Sequence, residues 1–384
     1  MYYFYTFIIY DKKRKLRIEM TSLLKIKNHF FAILFFLFFG CAQPQSSLPV
    51  YNEQLSIEEQ KIQNQLFAES WLNVYVDFSN IGYGILFSAS DLCAKEDQIY
   101  DIGLDVATKY EGPENIREEI IKILGLNENL KVIAIGNNSP ASKAGFLKGD
   151  EIIKINNLNA PSGETASSEF NKMMSMDYAS NYNFIVLRGS TQFPIDVKTS
   201  KRCRFNYMVD LDNNNFNAFA DGNNMFFSLR IAKWLLQDDI GVAIVFSHEL
   251  GHNANHHIED KKSNATIGAG VGLLAGILLG GDIGQTQDLM DIGANIGASQ
   301  YSVEYENEAD YLSLYALAYS GFNIDEAVNF WRRFAVEVPD SIYSTGGSHP
   351  STSERYIRME ATIKEIESKI RNDEDLLPSY NVEQ

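Results

Sequence analysis

Cysteine is scarce. Three residues in 384, Cys41, Cys93 and Cys203, make neither a disulfide framework nor a cysteine-based zinc site. Basic charge is also short: 33 Lys and Arg face 50 Asp and Glu, for a net charge of −17. The basic residues form no patch outside the N-terminal segment. Nucleic acid is therefore excluded as a partner, because phosphate binding needs clustered cations. Only one apolar run approaches membrane-spanning length, at residues 30–39 (FFAILFFLFF), which excludes a multi-span membrane protein. Histidine is sparse too, yet five of the six fall between positions 248 and 349. What the chain does have is 45% apolar residues. That is enough to bury a core, over a length that suits two or three domains of roughly 100–200 residues.

The run at 30–39 follows Lys25 and Lys27 and ends at Gly40-Cys41. A basic stretch, a short apolar core and a small residue before the cut make a secretory signal. Ten apolar residues fall short of the ~20 that a membrane-spanning helix needs. Gly-Cys at the end resembles a bacterial lipobox, which implies lipidation at Cys41. Residues 1–40 are thus expected to be a lipoprotein signal, with 1–19 an extension ahead of a start at Met20. A single N-terminal anchor helix is the competing reading. Removing 1–40, with seven basic and two acidic residues, takes the net charge from −17 to −22. Membrane attachment would then rest on the lipid. Ala42 after the cysteine resembles outer-membrane sorting, so the expected location is the cell envelope, at the periplasmic face of the outer membrane. In that oxidising setting Cys93 and Cys203 can pair; two unpaired buried cysteines are the alternative.

Residues 41–55 are polar and read as a tether. Residues 57–72 show helical apolar spacing, and 73–93 are apolar and aromatic, as core is. Residues 131–136 (KVIAIG) read as a strand by β-branched content. A proline-started short helix, a Gly149-Asp150 turn and another strand follow, with a later strand at 183–187. The run SPASKAGFLKGDEIIKIN at 139–156 closely resembles a PDZ domain, which implies a β-rich module over 100–200 that binds extended peptides at a sheet edge. Ile102-Gly103-Leu104 is placed as its carboxylate-binding loop, and C-terminal peptides are the expected ligands. Cys93 and Cys203 flank the module, so a bridge between them would staple its base.

His248-Glu249-Leu250-Gly251-His252 puts two imidazoles one helical turn apart on one face. Both can reach one Zn²⁺. Glu249 can reach a water at the metal as general base. The flanks are uncharged, as a buried helix requires. A third ligand is needed. In the pattern HExxHxxGxxH the glycine and the third histidine would fall at Asn255 and Ile258, which excludes that class. Residues 304–312 (EYENEADYL) offer Glu306 and Asp310 at i, i+4 instead. Glu306 can take the metal while Asp310 accepts the outer N–H of a ligand histidine. His256 and His257 read as exposed helix-end residues, and Glu304 and Glu308 as solvated acids.

HELGH, then ENEAD, with NAFADG upstream (217–222) and SHPSTSER downstream (348–355), resembles the gluzincin peptidase family of the CAAX prenyl endopeptidase, HtpX and BepA, in its periplasmic branch. The likeness covers about 205–365 and the 55–95 segment. It implies one zinc per chain held by His248, His252 and Glu306, Glu249 as base and Asp310 behind the ligands. It also implies a cleft edge at Asn217, Ala218, Phe219 and Ala220 that pairs with substrate, His349 near the metal, and Arg355 at the substrate side. The fold class expected is α+β. An α-rich zincin domain with a small edge sheet, in pieces at 56–99 and 201–384, is interrupted by the PDZ module. The function expected is zinc-dependent endoproteolysis of unfolded or misassembled envelope proteins. Two alternatives stay open: a PDZ-containing binding or chaperone-like protein with a latent zinc site, and a zinc amidase acting on cell-wall peptides. Glycines at every fourth position from 268 to 284 suit close helix packing. They are expected in a buried helical hairpin, with a membrane-touching lid as the sharper alternative.

Overall fold

The computed structural model describes residues 52–210, 215–278, 302–339 and 353–379. Cys41, His349, residues 1–40 and the glycine-rich residues beyond 278 lie outside them. So do the lipidation, signal and hairpin-partner expectations. No helix among the described residues is long and apolar enough to cross a membrane.

Helix α1 (Glu53–Ser88) runs for 36 residues. The helix expected over 57–72 thus continues through the apolar segment behind it, since no proline interrupts it and Gly82 and Gly84 are tolerated inside. Gly82 is there for space: a Cβ would lie 2.5 Å from the Phe246 ring. From residue 60 onward the helix serves two cores. Phe78, Ile81 and Ile85 join the helical core, while Ala68 and Leu72 join a smaller one with Ile120 and Ile133.

The chain then enters a β-rich module. β1 (Gln98–Asp101) pairs antiparallel with β8 (Ser200–Cys203), so entry and exit lie side by side. Cys93 and Cys203 are joined by a disulfide with Cα atoms 5.8 Å apart. Between them come β2 (Leu104–Ala107), α2 (Arg117–Leu124), β3 (Lys131–Ile135), α3 (Pro140–Ala144), β4 (Glu151–Ile155), β5 (Leu158–Asn159), α4 (Ala166–Met174), β6 (Asn181–Arg188) and β7 (Thr191–Lys198). The sheet runs in the order β2-β3-β4-β6-β7, with β5 on β4. Leu104, Val106, Phe146, Phe170, Phe184 and Val186 fill its core. The local chemistry follows the sequence. Ser139 caps α3 by accepting from Ser142 N–H, with Pro140 at the first turn, and Gly149 takes the positive φ of the turn before β4.

Past the module, β9 (Asn206–Asp210), β10 (Ala218–Ala220) and β11 (Asn224–Ser228) form a small sheet in the order β10-β11-β9, leaving β10 at an edge. The rest is helical: α5 (Leu229–Leu235), α6 (Asp239–Ala254), α7 (His257–Leu278), α8 (Ser302–Tyr319), α9 (Glu326–Glu337) and α10 (Ser353–Arg371). This is the expected mixture of a β-rich module and a helical part with a small edge sheet.

Helix α6 is the centre. Asp238 caps it by accepting from Ile240 N–H, and it is buried all round from Ile240 to Asn253, as a helix without a polar face must be. α8 packs closely on it at Gly251, where a Cβ would lie 2.7 Å from the Ala309 carbonyl oxygen and 3.0 Å from its Cα. Backbone cannot yield as a side chain can. Gly251→Ala is therefore expected to destabilise the fold by about 1–3 kcal/mol and to weaken metal binding by pushing α8 away. Chemical denaturation and a chelator titration measure the two effects. Unchanged values in both would show that the helices do not need this close approach.

Candidate metal centre

His248 and His252 lie one turn apart on α6, and Glu306 faces them from α8. All three are buried, with 0%, 3% and 1% exposure. Their ligand atoms form one group, each within 4.8 Å of the others. The Nε2 atoms of the two histidines are 3.2 Å apart. Glu306 Oε2 lies 3.3 Å from His248 Nε2, and its Oε1 lies 3.2 Å from His252 Nε2. A tetrahedral metal with bonds of about 2.0–2.1 Å needs ligand–ligand edges of about 3.3 Å. The separations match such edges, with the carboxylate straddling the two imidazoles so that a different oxygen faces each, and the donor set fits zinc. Glu249, also buried, sits one position on from the first ligand.

The outer nitrogens explain why both Nε2 atoms face the same point. His248 Nδ1–H donates to Asp310 Oδ1 at 2.9 Å. Asp310 is one turn beyond Glu306 on the same face of α8. Burial alone would lower the His248 pKa, but its bonds to Asp310 and Glu306 outweigh that and raise it to about 9. Burial likewise pushes Asp310 upward, and Arg355, then His248, outweigh it and hold the carboxyl below its ordinary value.

Arg355, expected at the substrate side, is instead buried behind the ligands at 2% exposure. Its Nε and Nη2 both donate to Asp310, the latter at 2.8 Å. Its Nη1 is 3.7 Å from Glu306 Oε2, and its guanidinium lies 4.4 Å from the centre of the Trp331 ring. The reason is geometric: a planar two-pronged donor suits a carboxylate that must stay ionised behind a histidine. Trp331 also packs edge-on against His248, 5.1 Å between centres.

His257 overturns a second expectation. It is 1% exposed rather than surface-facing. Its Nδ1 lies 3.0 Å from His252 Nδ1, its Nε2 lies 3.0 Å from Glu308 Oε2, and its ring stacks on Tyr305. An ionised carboxylate can only accept, so His257 carries its proton on Nε2 and accepts on Nδ1. His252 Nδ1–H then donates, and His252 Nε2 is left bare for a metal. Glu308, read as solvated, is held below its ordinary pKa by this bond. Continuing one helix through residue 257 hides the contact. His256 has φ +57°, which ends α6 and swings His257 back under His252. His256 itself is half-exposed and lies 3.3 Å from Asp97, and Glu304 is exposed. His257→Ala is expected to lower zinc affinity about 10–100-fold, read by competition with a chelator. An unchanged affinity would make the contact incidental.

The cleft-edge residues lie beside α6. Ala218, Phe219 and Ala220 form β10, paired with β11 and packed against α6. Asn217 precedes it, its carbonyl accepting from Ser228 N–H. Asn253, directly after the second ligand histidine, ties the turn between β10 and β11 to the metal helix. Its Oδ1 accepts from Gly222 N–H at 2.8 Å, and its Nδ2 donates to the Asn224 carbonyl at 3.2 Å.

Residues 194–363 match the family model for Peptidase family M48, and residues 101–199 match that for the PDZ domain. The chain thus carries a region similar to a peptidase family after a region similar to the PDZ domain. No curated protein matches it. Among solved structures it is similar to the HtrA-type protease AlgW with decapeptide, at 22% identity over 27% of this chain and 30% of that one, with a TM-score of 0.22. It is also similar to AlgW with tripeptide, at 20% identity over 27% and 32%, with a TM-score of 0.21. The chain spans about a third of the length of those structures.

Proposed function

We propose that the protein is a zinc-dependent endopeptidase that cleaves unfolded or misassembled cell-envelope polypeptides, with its PDZ-type module recognising peptide. The observation that carries this is the buried group of His248, His252 and Glu306, with Glu249 beside it. The match to a metallopeptidase family supports it. Zinc bound there would polarise the scissile carbonyl and lower the pKa of a water towards about 7. The protein's own residues do the rest. Asp310 and His257 hold the ligand histidines in the tautomer that frees Nε2. Glu249 takes the proton from the attacking water on its carboxylate and delivers it to the leaving amine. β10, the end strand of its sheet among the described residues, is the strand that an extended substrate would meet beside the metal helix. Apolar burial around α6 keeps bulk water from the carboxylates. We place the enzyme at the periplasmic face of the outer membrane, anchored by a lipid on Cys41. The Cys93–Cys203 disulfide suits that oxidising location.

The test is elemental mass spectrometry of the purified chain beside casein cleavage. One zinc per chain is expected, with cleavage abolished by a chelator. Glu249→Gln is expected to keep its zinc and lose about 10²–10⁴-fold in rate. A chain that takes up no zinc on reconstitution, or a Glu249→Gln variant that cleaves at the normal rate, would overturn the reading.

A further inference from the structure

The module's sheet ends at β2, whose outer edge has no strand partner among the described residues. Beside that edge lies a cavity of about 340 Å³. Asp105 and Val106 of β2 and Ser167 of α4 line one side, and Trp71 and Tyr75 of α1 line the other. Two features of this groove say what it takes.

The first is a set of amides already in use. A terminal carboxylate is captured by successive backbone N–H groups, here those of the loop leading into the edge strand. In this chain the Ile102 and Gly103 N–H groups donate to Asp101 Oδ1 at 2.6 and 3.1 Å. The other Asp101 oxygen accepts from Arg202 Nε at 2.7 Å, with both side chains buried. The protein thus holds a carboxylate of its own where a ligand's terminus would sit. Displacing it would leave Arg202 buried without its counter-charge.

The second is acid without base. Asp105 and Glu111 line the cavity, and no Lys or Arg among the described residues does. Asp105 accepts from Tyr75 Oη, and burial lifts its carboxyl to about 6, as expected of a desolvated carboxylate with no cation beside it. The Trp71 and Tyr75 rings stack with centres 5.2 Å apart. Ser167, 8% exposed, has a hydroxyl with no hydrogen-bond partner among the described residues. An apolar wall for an aliphatic stem, an aromatic face and a carboxylate at the end form the environment that suits a long cationic side chain.

We propose that the groove at the β2 edge takes an internal, extended polypeptide segment, not a free C-terminus, and anchors it by a Lys or Arg side chain paired with Asp105 beside Trp71 and Tyr75. This rests on the peptide-directed reading above and narrows it to a class of segment. It replaces the C-terminal peptides expected from the loop at residues 102–104.

The test uses the full Glu249→Gln chain, immobilised so that bound peptide is not consumed. Two pools of randomised decapeptides are passed over it, one with amidated and one with free C-termini, and retained peptides are sequenced by mass spectrometry. The pools are expected to be retained equally within about twofold, with Lys or Arg enriched about fivefold or more at one position. Asp105→Asn is expected to abolish that enrichment. Free-acid peptides retained more than about tenfold better would overturn the proposal, since charge-assisted carboxylate capture would then dominate. So would retention without Lys or Arg enrichment, or enrichment that survives Asp105→Asn and so reflects only the chain's overall negative charge. The comparison of pools needs no variant of the groove. Casein cleavage by the wild-type chain runs in parallel: its absence beside a basic anchor sinks the peptidase reading alone, and its presence without enrichment sinks the groove proposal alone.

Discussion

Glu306→Gln is expected to empty the metal centre while the fold persists. The carboxylate supplies one oxygen 3.3 Å from His248 Nε2 and the other 3.2 Å from His252 Nε2. It is the only negative ligand in the group and the only one from a second helix. The amide keeps the shape and loses the charge. Zinc affinity should fall by more than about 100-fold, beyond the 10–100-fold that outer partners such as His257 contribute, and cleavage should fall with it. Arg355 keeps its two bonds to Asp310, so stability without metal should change by no more than about 1 kcal/mol. Chelator competition and chemical denaturation on one sample separate the two effects. A variant that still binds one zinc at wild-type affinity would place the third ligand elsewhere.

Arg355→Ala is expected to act in the opposite way, through the fold first. Arg355 is the largest fully buried side chain among the described residues, and its charge balances Asp310 and Glu306. Removing it leaves two buried carboxylates with only histidine partners, at a cost of about 3–5 kcal/mol, and takes away packing against Trp331. Lys is a poor substitute, because a single ammonium cannot make the paired bonds to Asp310. Arg355→Met with Asp310→Asn removes charge from both sides and should recover part of the loss. Denaturant midpoints at constant slope decide this. A loss below about 1 kcal/mol for Arg355→Ala would mean that the ion pair is replaced by solvent, contrary to its burial.

The site was legible where chemistry follows helical period. HELGH and ENEAD each put their functional residues at i, i+4, and that spacing survives folding because α6 and α8 are regular through it. The module was legible because its turn and cap residues, Ser139, Pro140 and Gly149, are used for their local chemistry. His257 was not, because its place depends on a left-handed residue at His256, which period alone does not reveal. Arg355 was not, because an arginine's burial depends on whether its counter-charges are brought to it from other elements. Asp101 was hidden for a related reason: an acid before a glycine loop looks solvated until Arg202, 101 positions on, closes over it. Helix α1 was read as shorter than it is because its second half changes partners, from module to helical core, without changing conformation.

That change of partner bears on modularity. The chain leaves and re-enters the helical part at two cysteines whose Cα atoms are 5.8 Å apart. Insertion of a folded unit at such a point disturbs little of its host. Excision is a different matter. Ala68 and Leu72 of α1 lie in a core shared with Ala107, Ile116, Ile120 and Ile133 of the module. A shortened protein joined across the cysteines would carry a bare apolar stripe on two or more turns of α1, next to the stretch that packs Phe78 on Phe246. The module is therefore easy to acquire and hard to discard, and an exchange for another module of its type would have to carry its half of that seam with it.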